Sequence, residues 1–191
     1  KVEYHADTVQ FVNKRYFPSP LTGALDDKIT YGLTGERVVY PKFIAYEKVR
    51  FNDIVPNVDY SGGFAMEGGK FQSNSTGGDR ATLIFKDKGK PALRASASYF
   101  AFRPNEISSG SASIALQLRY DSVYHSDVAF KYFPQTQEMA FIRTDDNKRD
   151  NMFINSYHNL NIDAEFVKWR LGDSILVFKG LPGSGDNEAR M

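Results

Sequence analysis

Alternation with a period of two dominates this chain, and it leaves room for little except β-strands. In Ala112-Ser113-Ile114-Ala115-Leu116-Gln117-Leu118-Arg119-Tyr120, the residues Ile114, Leu116, Leu118 and Tyr120 fall on one side, against small or polar neighbours. Successive strand residues point to opposite faces, so this is the pattern of a strand buried on one face. Val128, Phe130 and Tyr132 repeat it. The same spacing predicts strands over 63–71, 81–86, 93–102, 138–144, 163–171 and 174–179. Turn formers such as Asp87-Lys88-Gly89-Lys90, Arg103-Pro104-Asn105 and Gly172-Asp173 separate them. Only 47–54 and 148–154 suit a single helical turn. The expected fold is all-β and antiparallel, with multi-strand sheets in a sandwich or an elongated stack.

One string is written twice. Tyr4-His5-Ala6-Asp7-Thr8-Val9-Gln10-Phe11, followed by Tyr16-Phe17-Pro18, matches Tyr124-His125-Ser126-Asp127-Val128-Ala129-Phe130, followed by Tyr132-Phe133-Pro134. Weaker echoes follow in the same order: Phe43-Ile44-Ala45-Tyr46 with Phe153-Ile154-Asn155-Ser156-Tyr157, and the stretch from Gly69 to Leu83 with that from Gly180 to Met191. This order predicts a repeated unit of about 120 residues, longer than an ordinary solenoid coil. Residues 1–123 would form the first unit and 124–191 part of a second, joined end to end so that neighbours cover sheet edges.

Composition bounds the rest. The 191 residues are 41% hydrophobic and 25% charged, which is a globular composition with enough apolar material for a core. Twenty-four Lys and Arg face twenty-three Asp and Glu, with no basic run to follow a phosphate backbone, so nucleic acid is not an expected partner. No apolar run has the length of a membrane-spanning helix, so membrane insertion by this segment is not expected. The absence of cysteine removes disulfides and thiolate chemistry. The start at Lys1 and the stop at Met191 read as an excised or mature piece of a longer chain.

Each chemistry-bearing cluster competes with a plainer reading. His5, His125 and His158 all follow a tyrosine, but two of them occupy equivalent repeat positions a module apart, and strand-end histidines fit better than a metal centre. Asp145, Asp146, Asn147 and Asp150 carry oxygens suited to calcium, yet lack the ligand spacing of a dedicated loop, and Lys148 and Arg149 offset their charge. The glycines from Gly180 to Gly185 lack the Lys-Ser/Thr of a phosphate cradle. Glu67, Glu106, Glu138 and Glu165 offer carboxylates for glycoside chemistry, with nothing in their spacing to choose a pair. No catalytic, cofactor-binding or metal-ligating residue is therefore assigned, and no cofactor is expected. Aromatic residues make up 14% of the chain, and Trp169, Tyr99 and Tyr124 are the candidates for a sugar-stacking platform, against core packing as the competing role.

Asp7-Thr8-Val9, Asp121-Ser122-Val123 and Asp173-Ser174-Ile175 share the pattern Asp, Ser or Thr, aliphatic. The pattern resembles the O-glycosylation acceptor sequence of exported Bacteroidetes proteins, which makes Thr8, Ser122 and Ser174 candidate acceptors. A wider likeness lies in Val58-Asp59-Tyr60-Ser61-Gly62-Gly63-Phe64, Arg94-Ala95-Ser96, Ile107-Ser108-Ser109, Asp121-Ser122-Val123-Tyr124-His125 and Asn155-Ser156-Tyr157-His158. These strings resemble the very large, repeat-containing β-rich proteins of the Bacteroidetes cell envelope. The resemblance implies export to the periplasm, outer-membrane surface or extracellular space, a large parent chain, and a structural or binding role. Expected partners are adjacent units of the parent chain, with a glycan or another envelope protein as further candidates. A carbohydrate-binding module, with an exposed aromatic row on one sheet face, is the first alternative. A glycosidase-like fragment is the second.

Overall fold

The computed structural model describes residues 3–14, 17–29, 31–32, 34, 38–73, 79–118, 121–144, 152–156, 159–179 and 189–190. Their regular elements are all strands: β1 (Glu3–Asn13), β2 (Phe17–Lys28), β3 (Lys42–Ala45), β4 (Val49–Val55), β5 (Val58–Gly62) and β6 (Ala65–Glu67) come first. Next are β7 (Lys70–Gln72), β8 (Ala81–Asp87), β9 (Lys90–Ala97), β10 (Ala101–Arg103), β11 (Glu106–Gln117) and β12 (Ser122–Phe133). The last are β13 (Glu138–Arg143), β14 (Phe153–Asn155), β15 (Leu160–Ile162), β16 (Phe166–Arg170), β17 (Val177–Lys179) and β18 (Ala189–Arg190). Every pairing between them is antiparallel. The all-β antiparallel reading of the sequence is what the chain adopts.

Hydrogen bonding connects all the strands into one network, but two long central strands divide it into two layers. β11 and β12 pair along most of their length, and each changes its other neighbour partway. β11 meets β10 through residues 106–108 and β9 through 113–116. β12 meets β14 through 123–124 and β13 through 128–133. The larger layer therefore runs β1-β2-β3-β6-β7-β10-β11-β12-β13-β16-β17-β18, and the smaller runs β4-β5-β8-β9-β11-β12-β14-β15.

A strand that passes from one layer to the other must turn its buried face, and both strands do this with bulges. The β11–β12 register slips between Ser109 and Ala112 and again between Ala112 and Ile114. In β12 the buried residues are Val123 and His125 before the slip, then Val128, Phe130 and Tyr132 after it, so the alternation changes phase. One extra residue is what produces that change.

The core lies between the layers and is strongly aromatic. In the larger layer, directly opposed residues form a spine across nine strands: Leu25, Phe43, Met66, Phe71, Phe102, Ile107, Tyr132, Met139 and Trp169. Rings from the smaller layer pack onto the inner face of the larger one. Phe51 stacks on Phe17 at 5.3 Å, Tyr60 stands edge-on to Phe71 and Phe102 at 5.5 Å each, and Phe85 meets Tyr132 at 4.8 Å. Each fully buried phenyl contributes about 1.5–3 kcal/mol of apolar burial, with edge-to-face contact adding to it. At the crossing from β5 to β6, a Cβ on Gly62 would sit 2.6 Å from that of Ala81, so only glycine fits there. The Tyr60 hydroxyl donates to the Gly63 carbonyl at the same crossing, and burial raises its pKa well above the ordinary phenol value.

Several expected elements are re-cut by these crossings. The strand expected over 93–102 is two: β9 belongs to the smaller layer and β10 to the larger, and the break at 98–100 carries the chain between them. That over 63–71 turns back at Gly68, whose φ is +59°, to give the β6–β7 hairpin. The helical turn expected over 47–54 is strand β4, because Val49, Phe51 and Ile54 bury against the core while β5 pairs alongside. Of the other helical-turn window, Phe153 and Ile154 lie in β14 and 148–151 lie outside the described residues.

The 120-residue repeat is not confirmed. Its proposed boundary between 123 and 124 falls inside β12, and both sides of it share one hydrogen-bond network. The first string crosses from β1 into β2, whereas the second lies almost wholly within β12.

Candidate functional site

The outer face of the larger layer carries three of the four carboxylates singled out above, Glu67, Glu106 and Glu138. Its register row runs His5, Asp26, Lys42, Glu67, Lys70, with charges that alternate when His5 is protonated. Lys42 Nζ lies 3.3 Å from Glu67. Further along the layer, Glu106 on β11 and Glu138 on β13 flank β12, two strand spacings or about 9–10 Å apart along the backbone. Glu106 pairs with Arg103 at 3.2 Å and Lys131 at 3.8 Å, and Glu138 pairs with Lys168 at 2.8 Å. Beside Glu138 lies a shallow depression of about 320 Å³ over Phe133, Ala140, Ile142 and Phe166, with Lys131 and Lys168 at its rim. Glu165 stands apart at the entry to β16, where its carbonyl accepts the Arg143 N–H at 2.9 Å.

His5 sits at the end of this row between two carboxylates. Its Nδ1 is 2.5 Å from Asp26 and its Nε2 is 2.8 Å from Asp7. With a carboxylate on each ring nitrogen, the imidazolium is favoured, and its pKa is raised above 6.5, chiefly by the hydrogen bond to Asp26 and then by that to Asp7. Among the described residues no three metal-ligating side chains converge. His125 is fully buried, its ring centroid 4.4 Å from Phe153, and its Nδ1 accepts the Asp127 N–H at 3.0 Å. His158, the run from Asp145 to Asp150 and the glycines from Gly180 to Gly185 lie outside the described residues.

The three candidate stacking aromatics do not form a platform. Trp169 leaves the set: it is 3% exposed, ends the core spine, and donates its indole N–H to the Asp173 carbonyl at 2.8 Å. Period two places it inward together with Val167, so its ring serves packing. Tyr99 is exposed at the β9–β10 bend, with its hydroxyl on Gln72 of the larger layer. Tyr124 is exposed on the outer face of the smaller layer, in the register row Asp59, Ile84, Arg94, Ala115, Tyr124, Ile154. Tyr99 and Tyr124 thus face different surfaces.

Of the candidate glycosylation acceptors, Thr8 is exposed at the bulge of β1, where the register slips between Ala6 and Val9, and Ser174 is exposed just after the β16 turn. Ser122 is half-buried, and its Oγ is 2.5 Å from that of Ser156.

A feature not anticipated from the sequence is a groove of about 610 Å³ where the two layers part. Phe17, Pro20 and Leu21 of β2 line one wall, and Val49, Arg50 and Phe51 of β4 the other. The signal for it is Phe17-Pro18-Ser19-Pro20, because alternate prolines in a strand mark an edge. On β4, Lys86 pins the turn end by bridging Asp53 at 3.0 Å and Asp59 at 2.7 Å. That hydrogen bond is the main cause of a lowered Asp59 pKa and a raised Lys86 pKa. No protein-family model, curated protein or solved structure matches this chain.

Proposed function

We infer that the chain is a non-catalytic structural or binding segment of a larger exported or cell-envelope protein. The observation that carries this reading is how the outer-face carboxylates are used. Glu67, Glu106 and Glu138 each bond to a lysine or arginine on a neighbouring strand, Glu106 to one on either side, which ties strands together in register. A glycosidase instead needs a protonated carboxylic acid facing a second carboxylate across a sugar-sized cleft, and a lysine beside a carboxyl group favours its charged form. Adjacent units of the parent chain, a glycan or another envelope protein are the partners this reading implies, with Thr8 and Ser174 the accessible glycosylation acceptors.

The test is hydrolysis of a panel of chromogenic glycosides by the purified chain. No turnover above buffer is expected. Turnover that Glu106→Gln or Glu138→Gln abolishes would overturn the reading.

A carbohydrate-binding surface is the second reading, favoured by one observation: Tyr124 is 45% exposed beside Ile154, at 43%, and Ala115 on an open sheet face. Affinity electrophoresis through polysaccharide gels would then show retardation that Tyr124→Ala removes.

A further inference from the structure

The groove between β2 and β4 is bounded by two strands that, among the described residues, both lack a neighbour on the groove side. β2 pairs with β3 only over Gly23–Asp26, and among the described residues its first half pairs with β1 alone. Among the described residues β4 pairs with β5 alone. The Thr22 carbonyl accepts the Tyr46 N–H at 3.1 Å and so closes one end of the opening in β2. Beneath the opening, Phe17 and Phe51 stack nearly parallel, 9° apart, and give the groove an apolar floor.

Two properties decide what fits. An open strand edge presents backbone N–H and C=O groups in a row, which water or another extended backbone must satisfy. The two edges differ in what they offer. Pro18 and Pro20 have no N–H, so β2 offers no backbone donor at either position. No proline interrupts residues 49–52 of β4, so alternate residues there direct N–H and C=O to the edge away from β5, and Val49 and Phe51 point inward while Arg50 and Asn52 point out. An incoming strand would lay alternate side chains over Phe17 and Phe51 and leave the others in solvent. The charge at the rim comes from Glu47, Lys48 and Arg50. Lys48 is already paired with Asp79, and Arg50 has no partner among the described residues.

We propose that this groove accepts an extended acidic peptide segment, added as a strand to the free edge of β4 with a carboxylate against Arg50. The proposal rests on the binding-segment reading above and names the chemistry of the partner.

The probe is a synthetic, end-capped peptide of alternating valine and threonine with one central aspartate, titrated into the isotopically labelled full chain. Binding is read as new hydrogen-exchange protection at the alternate backbone amides within 49–52 that β5 does not already hold. Protection of those amides is expected, and a peptide with lysine in place of the aspartate should bind about tenfold more weakly, as charge reversal at a rim position predicts. Arg50→Glu, an exposed change that leaves the core untouched, should invert that preference. N-methylation of alternate peptide amides should abolish binding. Lack of protection at 49–52, or a preference that Arg50→Glu leaves unchanged, would overturn the proposal. The glycoside panel run on the same sample keeps the outcomes apart: hydrolysis strikes at the non-catalytic reading, and peptide failure without hydrolysis strikes at the groove alone.

Discussion

Tyr4-His5-Ala6-Asp7 in β1 and Tyr124-His125-Ser126-Asp127 in β12 are nearly the same string, and both strands bulge there. The register slips after Ala6 in one and after His125 in the other. Their surroundings are opposite. Among the described residues β1 has one neighbour, and the His5 side chain, 58% exposed, is held by Asp26 and Asp7 alone. β12 lies at the centre, His125 is 0% exposed, and Asp127 accepts from the hydroxyls of Ser111 at 2.6 Å and Thr144 at 3.2 Å. A short string can specify a kink, because a bulge is a local backbone event. Whether the kink carries a strand from one layer into another depends on what pairs beyond it.

That contrast is open to direct attack. The largest effect belongs to the downstream phenylalanines. Phe130 is fully buried among Phe85, Phe100 and Phe141, so Phe130→Ala should lower the denaturant-derived stability by about 3–5 kcal/mol. Phe11 stacks on Phe43 at 4.6 Å but is only partly buried, and Phe11→Ala should lose less than half as much. Equal losses would show that the two strings occupy equivalent environments after all.

A smaller gap is expected at the aspartates. Asp127→Ala leaves the partly buried Thr144 hydroxyl and the Ser111 hydroxyl without their acceptor, at about 1–3 kcal/mol in chemical denaturation. Asp7, with a side chain 90% exposed, should show no measurable change when replaced by Ala. A comparable loss at Asp7 would mean that the β1 bulge also supports the fold.

The smallest effect is a pH dependence confined to the edge. His5 gains carboxylate acceptors for its ring N–H groups on folding, so its folded pKa lies above 6.5. The stabilisation is complete below the unfolded value near 6.5 and is lost as pH rises through the folded value. Amide protection factors in residues 3–7 should therefore decline over that upper window. Asp26→Asn should move the His5 titration, followed by NMR, back toward 6.5. A titration that the substitution leaves in place would remove Asp26 as the main cause.

Period two alone made the fold class legible, since Ile114, Leu116, Val128, Phe130 and Tyr132 all bury where alternation puts them. Hairpins were legible too: Lys88 and Gly89 both take positive φ, +49° and +78°, at the β8–β9 turn their sequence suits. Strand limits and the groove were not. Ser98, Tyr99 and Phe100 look like continued strand, and the break there exists because β9 and β10 serve different layers. Trp169 looked available to a sugar because alternation assigns a side chain to a face without saying which face is covered.

The amino-acid sequence by itself determined that this protein is built of antiparallel strands with one apolar face each, because side-chain alternation and turn chemistry act over a few residues. Only the tertiary structure decided that β11 and β12 join two layers, that His5 meets water while His125 does not, and that β2 and β4 leave a groove between them. Those outcomes depend on which distant strands pair, and pairing is settled by the burial of the aromatic spine as a whole.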